Sequence, residues 1–257
     1  MIAAPRHFTA LARRLRWDPD SIDLAVDRRA WPLLPAPRRE RLTVLLCGFL
    51  VAEESVAAEI APFIGAAADA DTVAALRAQR DDEERHARLM QRIGAGVVGL
   101  PGESAGERRG AASAHVPAAL LDLFEGRLRR TAEALAAGAV GLEAAVGLYH
   151  MVIEGVVLSA GQRALLEDLA DGALPGVLAG IERVERDERW HVGFGLRCLH
   201  DVHTDPSVVA ALAGAGDAAV AAWGDAVPAP VRVRAVAMHR RRLGSVGPVH
   251  AAAGSRA

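Results

Sequence analysis

The sequence contains no lysine and one tyrosine, and aromatic residues make up only 4% of its 257 residues. Its two cysteines, Cys47 and Cys198, are too few for a disulfide-stapled scaffold and are expected to be reduced. The 30 arginines stand against 32 acidic residues, and the net charge of −2 gives no electrostatic reason to expect a nucleic-acid partner. The N-terminus has no apolar signal-peptide segment, so a cytoplasmic protein is expected.

Strand-like alternation of apolar and polar residues is also hard to find, although 51% of the residues are hydrophobic. The length suits one large all-α domain with a sizeable core. The longest apolar run covers 134–161 and is interrupted only by Glu143, His150 and Glu154. A membrane span would place a glutamate near its middle at high energetic cost, so the run is interpreted as a buried bundle helix and no integral membrane segment is expected.

Composition divides the chain into three parts: an N-terminal arm rich in proline and arginine over 1–37, a helical domain over 38–243, and a disordered tail over 244–257. Caps, breakers and apolar periodicity predict the elements of the middle part. They are helices over about 38–65 and 70–94, a loop over about 97–113, a helix after Pro117, a helix carrying Glu154, a long helix after Pro175, and helices over about 206–222 and 229–243.

Two Glu-x-x-His motifs, each preceded by an isolated glutamate on an apolar helix, are the main chemical feature of the sequence. The first set is Glu53, Glu83 and His86; the second is Glu154, Glu188 and His191. A Glu and a His three positions apart lie on the same face of a helix. Four carboxylates and two imidazoles are the ligands with which ferritin-like helix bundles hold two metal ions.

The isolated glutamates make this prediction specific, because a single Glu-x-x-His occurs often on solvated helices. Glu154 lies within an apolar segment, where burying an unpaired carboxylate would cost several kcal/mol. Glu53 shares an apolar stripe with Leu50, whereas its neighbour Glu54, the rival ligand, falls off that stripe. The sequence therefore predicts a dinuclear metal site. Carboxylate oxygens with one imidazole per ion suit iron or manganese. The long gap between His86 and Glu154 leaves room for an extra helix, which favours a larger oxygen-activating bundle over a storage cage.

The residues around these motifs resemble those of a known family. They are Arg-Trp-Asp-Pro-Asp-Ser-Ile-Asp at 16–23, Glu-Glu-Ser-Val at 53–56 and Tyr-His-Met-Val-Ile-Glu-Gly at 149–155. Over roughly residues 16–200 the chain resembles the small, radical-generating subunit of class I ribonucleotide reductase, and more narrowly the ligand-binding oxidases related to it. The resemblance implies a ferritin-like four-helix bundle core with additional helices and an N-terminal arm.

The single tyrosine, Tyr149, distinguishes the two branches of this family. In the oxidases, a tyrosine at this position forms an ether bond to the valine three residues after the first glutamate ligand, which is Val56 here. In the reductase subunits, the radical tyrosine follows the first motif histidine by four residues, where this chain has Met90. The segment 249–257 also has neither tyrosine nor acidic residues. A working reductase subunit is therefore not expected.

Further positions are predicted to support the ligands. The resemblance implies a chain of contacts from His86 to Asp187 and Trp17, because a carboxylate behind a metal-bound imidazole fixes the orientation of the ring. By the internal repeat, Asp82 is predicted to do the same for His191. Trp190 is interpreted either as shaping the edge of the site or as a packing residue, and His150 as a core histidine.

The function expected from these features is that of an oxidase with an Mn/Fe or Fe/Fe site that activates dioxygen. The resemblance further implies an apolar small-molecule ligand, for example a long-chain fatty acid bound through its carboxylate, and a homodimer is expected. A dimetal monooxygenase or N-oxygenase of a biosynthetic pathway would use the same six ligands and remains the main alternative. A ferroxidase would require a cage assembly, and a non-enzymatic helical interaction protein would require the motifs to be accidental.

Overall fold

A computed structural model describes residues 3–202 and 204–246, and every regular element within these ranges is helical. The predicted all-α class is confirmed. The α-helices are α1 Pro5–Leu15, α2 Ala25–Ala30, α3 Ala36–Glu59, α4 Ala61–Ala66, α5 Ala70–Ile93, α6 Ala105–Ser113, α7 Ala118–Leu121, α8 Arg129–Ala136, α9 Leu142–Val146, α10 Ser159–Asp168, α11 Pro175–Asp201, α12 Pro206–Ala219 and α13 Ala229–Leu243. Wider, π-helical turns cover Gly94–Val98, Asp122–Leu128 and Gly147–Leu158, and short 3-10 turns cover Pro19–Ser21, Trp31–Leu33, Leu169–Asp171 and Val220–Ala226.

Four long helical segments form the centre of the bundle: α3, α5, the π-helical segment Gly147–Leu158 and α11. Helix α3 is enclosed over its second half, where the residues from Leu45 to Glu53 are all buried. Helix α5 buries one face and leaves polar side chains such as Arg77 and Arg88 exposed, as expected of an amphipathic helix packed against a core. Its start is fixed by Asp69, whose side chain accepts a hydrogen bond from the Thr72 backbone N–H at 2.9 Å.

Residues of the predicted arm hold the central helices from outside. Helix α1 packs against α5 and α11. The buried carboxylate of Asp27, on α2, accepts hydrogen bonds from the backbone N–H groups of Gly176 at 3.0 Å and Val177 at 2.8 Å. These donors lie in the first turn of α11, where helical N–H groups have no partner within the helix. The arm therefore anchors the helix that carries Glu188 and His191. The division of the chain after residue 37 stays a prediction.

Two predicted elements differ from the structure. The single helix over 38–65 is interrupted at Ile60, between α3 and α4. Pro62 has no N–H to donate and its ring clashes with the carbonyl four residues earlier, so α3 ends before it. The predicted loop over 97–113 is wrong in its second half, which forms α6. Ser104 and Glu107 form a reciprocal capping box at its start, a pattern readable in the sequence. Of the predicted tail, 247–257 lies outside the described residues.

Among the described residues, two helical stretches are long and apolar enough to cross a membrane by length and composition alone. Leu142–Asp171 has a mean hydropathy of 1.5 with 83% of its most apolar window buried, and Pro206–Ala226 has 1.4 with 28% buried. A core helix of a folded domain passes the same test. The first stretch carries Glu154 and is buried against α11 and α3, which accounts for its apolar composition.

Candidate metal centre

All six predicted ligands lie in the bundle interior, and none is more than 3% exposed. Glu53 comes from α3, Glu83 and His86 from α5, Glu154 from the π-helical segment, and Glu188 and His191 from α11. The rival ligand, Glu54, turns away from this cluster. It accepts a hydrogen bond from Gln91 Nε2 and pairs with Arg109 at 3.3 Å. One residue of difference along α3 thus separates a buried carboxylate from one engaged at the surface.

The ligand atoms form two overlapping groups, in each of which all atoms lie within 4.8 Å of one another. One group contains Glu53, Glu83, His86 and Glu188; the other contains Glu83, Glu154, Glu188 and His191. Glu83 and Glu188 belong to both groups. If each group holds one ion, these two motif glutamates bridge the pair, while Glu53 and Glu154 are terminal.

The hydrogen bonding of these side chains fits a pair of cations. Buried polar atoms are normally hydrogen-bonded, yet seven atoms of the cluster have no hydrogen-bond partner: both carboxylate oxygens of Glu53 and of Glu188, Oε2 of Glu154, and Nδ1 of His86 and of His191. Both Nδ1 atoms face the carboxylates: His86 Nδ1 lies 3.4 Å from Glu83, and His191 Nδ1 lies 3.1 Å from the same residue. Oxygen and imidazole donors suit iron or manganese, so the residues present fit a dinuclear site.

The pKa values of the cluster reflect four carboxylates set against two imidazoles in a dry interior. Burial raises the pKa of Glu53 to about 8. Burial and the charge of Glu188 hold the pKa of Glu154 well above its ordinary range. Burial also opposes a charge on His86 and His191, but the surrounding carboxylates outweigh it and raise both pKa values. Bound cations would supply the positive charge that protons must otherwise provide.

The Nε2 atom of each imidazole contacts an aspartate, and a tryptophan donates a hydrogen bond to the same aspartate. His86 Nε2 lies 3.2 Å from Asp187 Oδ2, and Trp17 Nε1 donates to the same oxygen at 2.7 Å. Since an ionised carboxylate only accepts, Nε2 carries a hydrogen, and Nδ1 is the nitrogen that would bind a metal after losing any proton of its own. The structure thus places Asp187 and Trp17 in contact as the resemblance implies.

The second imidazole has the same arrangement. His191 Nε2 lies 3.4 Å from Asp82 Oδ2, and Trp190 Nε1 donates to that oxygen at 3.1 Å. Trp190 is therefore the counterpart of Trp17, although one lies on α11 and the other follows α1 in the arm. Arg85 donates to Asp82 and lies 3.6 Å from Asp187, so one guanidinium serves both aspartates.

Replacing Asp82 with asparagine is expected to weaken metal binding by roughly 10- to 100-fold, because the amide no longer fixes the ring of His191 through a charge-assisted hydrogen bond. The matched control is Asp81→Asn, which changes the preceding, half-exposed side chain and should leave metal affinity unchanged. Titration of both variants against a competing chelator measures the effect. Equal affinities in the two variants would show that Asp82 does not support the ligand.

Gln79 is a site residue that the sequence reasoning missed. It is fully buried on α5, one turn before Glu83, and its Nε2 donates to Tyr149 Oη and to Glu154 Oε1, both at 2.9 Å. Its Oε1 lies 2.9 Å from His150 Nε2, which must donate to it. Burial lowers the pKa of His150 to about 3, so this ring is neutral. The spacing of 79, 83 and 86 on one helix face could have indicated Gln79.

The predicted catalytic pair is also buried. The Tyr149 hydroxyl donates to Glu83 Oε1 at 2.8 Å. Burial, together with the charges of Glu154 and Glu83, raises the pKa of this phenol well above its ordinary value, so it stays protonated at neutral pH. Val56 is buried one turn after Glu53 on α3. His150, interpreted from the sequence as a core residue, reaches this site indirectly through Gln79.

Solved structures of one class of protein are similar over nearly the whole chain. A tyrosine-to-phenylalanine variant of an R2-like ligand-binding oxidase with an aerobically reconstituted Mn/Fe cofactor matches with a TM-score of 0.80 and 19% identity, covering 93% of each chain. A valine-to-leucine variant with an anaerobically reconstituted Mn/Fe cofactor matches with a TM-score of 0.81 and 19% identity, covering 96% of this chain and 94% of that one. A glycine-to-phenylalanine variant, also anaerobically reconstituted with Mn/Fe, matches with a TM-score of 0.80 and 20% identity over 93% of each chain.

No protein-family model matches the chain. The structural similarity is nevertheless high and covers both the arm and the bundle, and it confirms the ferritin-like architecture predicted from the six ligands and the resemblance. This protein therefore has the fold of the R2-like ligand-binding oxidases.

Proposed function

We propose that this protein is an oxygen-activating oxidase with a carboxylate-bridged dinuclear site that holds Mn/Fe or Fe/Fe. The observation that carries the proposal is the convergence of six buried carboxylate and imidazole side chains, five of which have at least one atom without a hydrogen-bond partner. The similar solved structures contain an Mn/Fe cofactor, which supports the same choice of metals here. Zinc could bind to the same side chains, but it would not support this activity, because it cannot supply electrons to dioxygen.

When bound, a pair of reduced iron or manganese ions supplies electrons to dioxygen. The protein contributes the surroundings. Glu83 and Glu188 belong to both groups and would hold both ions, while Asp187 and Asp82 keep the rings of His86 and His191 oriented. The burial of all six ligands excludes bulk water, which protects oxidising species from side reactions. The neutral His150 fixes the Gln79 amide, which in turn holds Tyr149 and Glu154.

A covalent bond between Tyr149 Oη and the Val56 side chain is the proposed result of oxygen activation in this chain. The phenol loses its O–H hydrogen and the valine loses one C–H hydrogen, and dioxygen accepts both. The 2.8 Å hydrogen bond to Glu83 gives the phenol proton an acceptor. The bond from Gln79 to Oη keeps that oxygen in place while the proton leaves.

Aerobic loading with iron and manganese is therefore expected to join the segments around Val56 and Tyr149, with a loss of two hydrogens in mass. Peptide mass spectrometry after proteolysis measures the link. Tyr149→Phe should abolish it while retaining the metals, since this residue is not among the six ligands. If the wild-type peptides stay separate after full loading and oxygen exposure, the chain is better interpreted as a dimetal monooxygenase without this bond.

An apolar small-molecule ligand at the metals, for example a long-chain fatty acid held by its carboxylate, is part of the proposal. Its support is the resemblance and the description of the similar structures as ligand-binding oxidases. A homodimer is proposed on the same resemblance. The two cysteines are free, which is compatible with the proposed cytoplasmic location.

Oxygen consumption tests the activity directly. Protein loaded anaerobically with Mn²⁺ and Fe²⁺ should take up dioxygen on exposure to air, as measured with an oxygen electrode, and Glu53→Ala should not. Sustained uptake coupled to turnover of a diffusible substrate would favour the monooxygenase. Iron mineralisation within a large cage, seen by size-exclusion chromatography, would indicate a ferroxidase. If the metal-loaded protein takes up no dioxygen, the proposed oxidase activity is contradicted.

A further inference from the structure

A cavity is lined by residues that follow the candidate ligand Glu154 along the chain. It has a volume of about 350 Å³ and is enclosed by the segment from Gly155 to Leu166, by Glu185 of α11 and by one face of α13. None of the six metal-site residues lines it. Its volume is in the range of small-molecule sites.

Arginines dominate the polar lining of this pocket. Arg163 and Arg234 are both paired with Glu167, and the pocket's own carboxylate, Glu185, pairs with Arg189 at 2.6 Å. Arg241 and Arg242 also line the pocket. Among residues 3–202 and 204–246, no carboxylate lies within 4.0 Å of either guanidinium. The positions outside these ranges contain no aspartate or glutamate, so no acidic side chain of the chain is left to pair with them.

Arg242 is the member of this pair that is partly buried. Its Nη1 donates to the backbone oxygen of Gly155 at 3.1 Å, a contact that satisfies one N–H but does not neutralise the charge. Burial lowers the pKa of Arg242, although the charge of Glu185, which lines the same pocket, opposes this shift. A charge removed from water with no carboxylate in contact is costly, and a bound anion would offset that cost.

Gln162 provides an independent observation at the same wall. Its side chain is 1% exposed, and its Nε2 has no hydrogen-bond partner. A buried amide donor left unsatisfied costs on the order of 1–3 kcal/mol. The pocket therefore contains a neutral donor without an acceptor and two guanidinium groups without a carboxylate in contact.

Apart from Ser159, whose hydroxyl donates to the Glu154 backbone oxygen, the remaining lining is apolar and includes Leu166, Val231, Ala235 and Met238. An inorganic anion would leave this surface uncovered. We propose that the pocket binds a small organic carboxylate, with its carboxylate held by Arg241, Arg242 and Gln162 and its apolar body against the Leu166 and Met238 side. Guanidinium groups bind carboxylates through paired, charge-assisted hydrogen bonds. This site is distinct from the ligand position proposed at the metals.

Octanoate is a suitable probe, and calorimetric titration of the metal-loaded protein should detect its binding. Arg242→Gln and Gln162→Leu should each weaken binding, the first by about tenfold or more, because it removes a charge-assisted contact. Arg241→Gln provides a second charge variant at an exposed position, where folding is not at risk. Arg232→Gln is the matched control on α13, because Arg232 lies outside the pocket and donates to the Gly224 backbone.

The metal-stripped protein separates this site from the metal centre. Octanoate should bind the metal-stripped protein with an affinity similar to that for the metal-loaded protein. The uncharged octanol should bind both forms more weakly than octanoate does. Binding that disappears with the metals but survives Arg241→Gln and Arg242→Gln would place octanoate at the metals and overturn the proposal. Binding of octanol as tight as that of octanoate would also overturn the proposal, because it would show that the carboxylate is not recognised. Binding of inorganic phosphate as tight as that of octanoate would do the same, because it would show that the apolar body is not recognised. Neither of these outcomes depends on whether the protein is an oxidase.

Discussion

Glu53→Ala is expected to lose most of its metal, while Glu54→Ala retains the metal content of the parent protein. The two residues are adjacent on α3, but only Glu53 belongs to the buried cluster. The removal of Glu53 takes away the terminal carboxylate of one group and leaves an apolar gap beside His86. Glu54 interacts instead with Gln91 and Arg109, so its loss should affect the surface alone.

Glu154→Ala should reduce metal content in the same way through the second group. Elemental analysis of the purified variants after identical loading measures both effects. Circular dichroism establishes that each variant retains its helical content, so that metal loss is not mistaken for unfolding. Undiminished metal in Glu53→Ala or Glu154→Ala would remove that residue from the ligand set. An equal loss in Glu54→Ala would show that the effect comes from α3 in general.

The second large effect is expected on stability. Removal of the metals should lower the thermal midpoint at pH 7, because four carboxylates then share a buried site with only two imidazoles. A ligand that binds the folded state alone stabilises it in proportion to how tightly it binds. The difference between metal-loaded and metal-stripped protein should therefore be large at pH 7 and should shrink as the pH falls toward 5.

The direction of this pH dependence follows from the pKa values of the clustered side chains. The pKa of Glu53 is raised by burial from 4.5 to about 8. A group with a raised pKa contributes its stability fully below its ordinary pKa, and that contribution is lost as the pH rises through the folded value. The raised pKa values of His86 and His191 act in the same direction above their ordinary 6.5. The metal-stripped protein should thus gain stability as the pH falls from about 8 to about 5.

The lowered pKa of His150 acts against this trend below its ordinary 6.5, because the unfolded protein binds a proton there and the folded protein does not. This cost is common to the metal-loaded and metal-stripped forms, so it cancels in the difference between them. The pKa of Glu83 is lowered because the charge of His191 and its hydrogen bonds outweigh burial, and that of Asp187 is lowered mainly by its bond to His86 against the effect of burial. Their stabilisation is lost only below their ordinary values of 4.5 and 3.8. In the loaded protein, protonation of the ligands weakens metal binding at the same time. Both effects reduce the difference in thermal midpoint between metal-loaded and metal-stripped protein as the pH falls.

Thermal unfolding of loaded and stripped protein at several pH values between about 5 and 8 measures this prediction. The Glu53→Ala variant provides a control, because it should show a smaller gap at pH 7 than the parent. Identical midpoints for the two forms of the parent protein at pH 7 would contradict a buried dimetal site. A gap that widens toward pH 5 would contradict the assignment of raised pKa values to its members.

The clustering of the six carboxylate and imidazole side chains could be predicted from the sequence because its determinants are local. The three-residue spacing in each Glu-x-x-His motif fixes a shared helix face, and a lone carboxylate in an apolar helix requires a partner charge. The internal repeat also indicated Asp82 as the partner of His191. The same local rules predicted most helices, and the capping box before α6 would have corrected the one that was placed in a loop.

Contacts between distant helices could not be predicted in this way. Trp190 and Trp17 have equivalent roles, yet they reach their aspartates from α11 and from the arm, so no sequence repeat relates them. The central position of Gln79 depends on how α5 is rotated against the π-helical segment that carries Tyr149 and His150. The pocket with Arg242 depends on α13 packing across that segment.

By itself, the sequence determined which side chains carry charge into an apolar core and at which helical spacing, and these two properties indicate the six candidate ligands. The tertiary structure alone decided which carboxylates are shared between the two groups, which residues hold the ligands from behind, and where a cationic pocket forms beside them. The physical reason is that spacing within a helix is set by its constant pitch, whereas the distance between helices is set by the packing of many side chains at once.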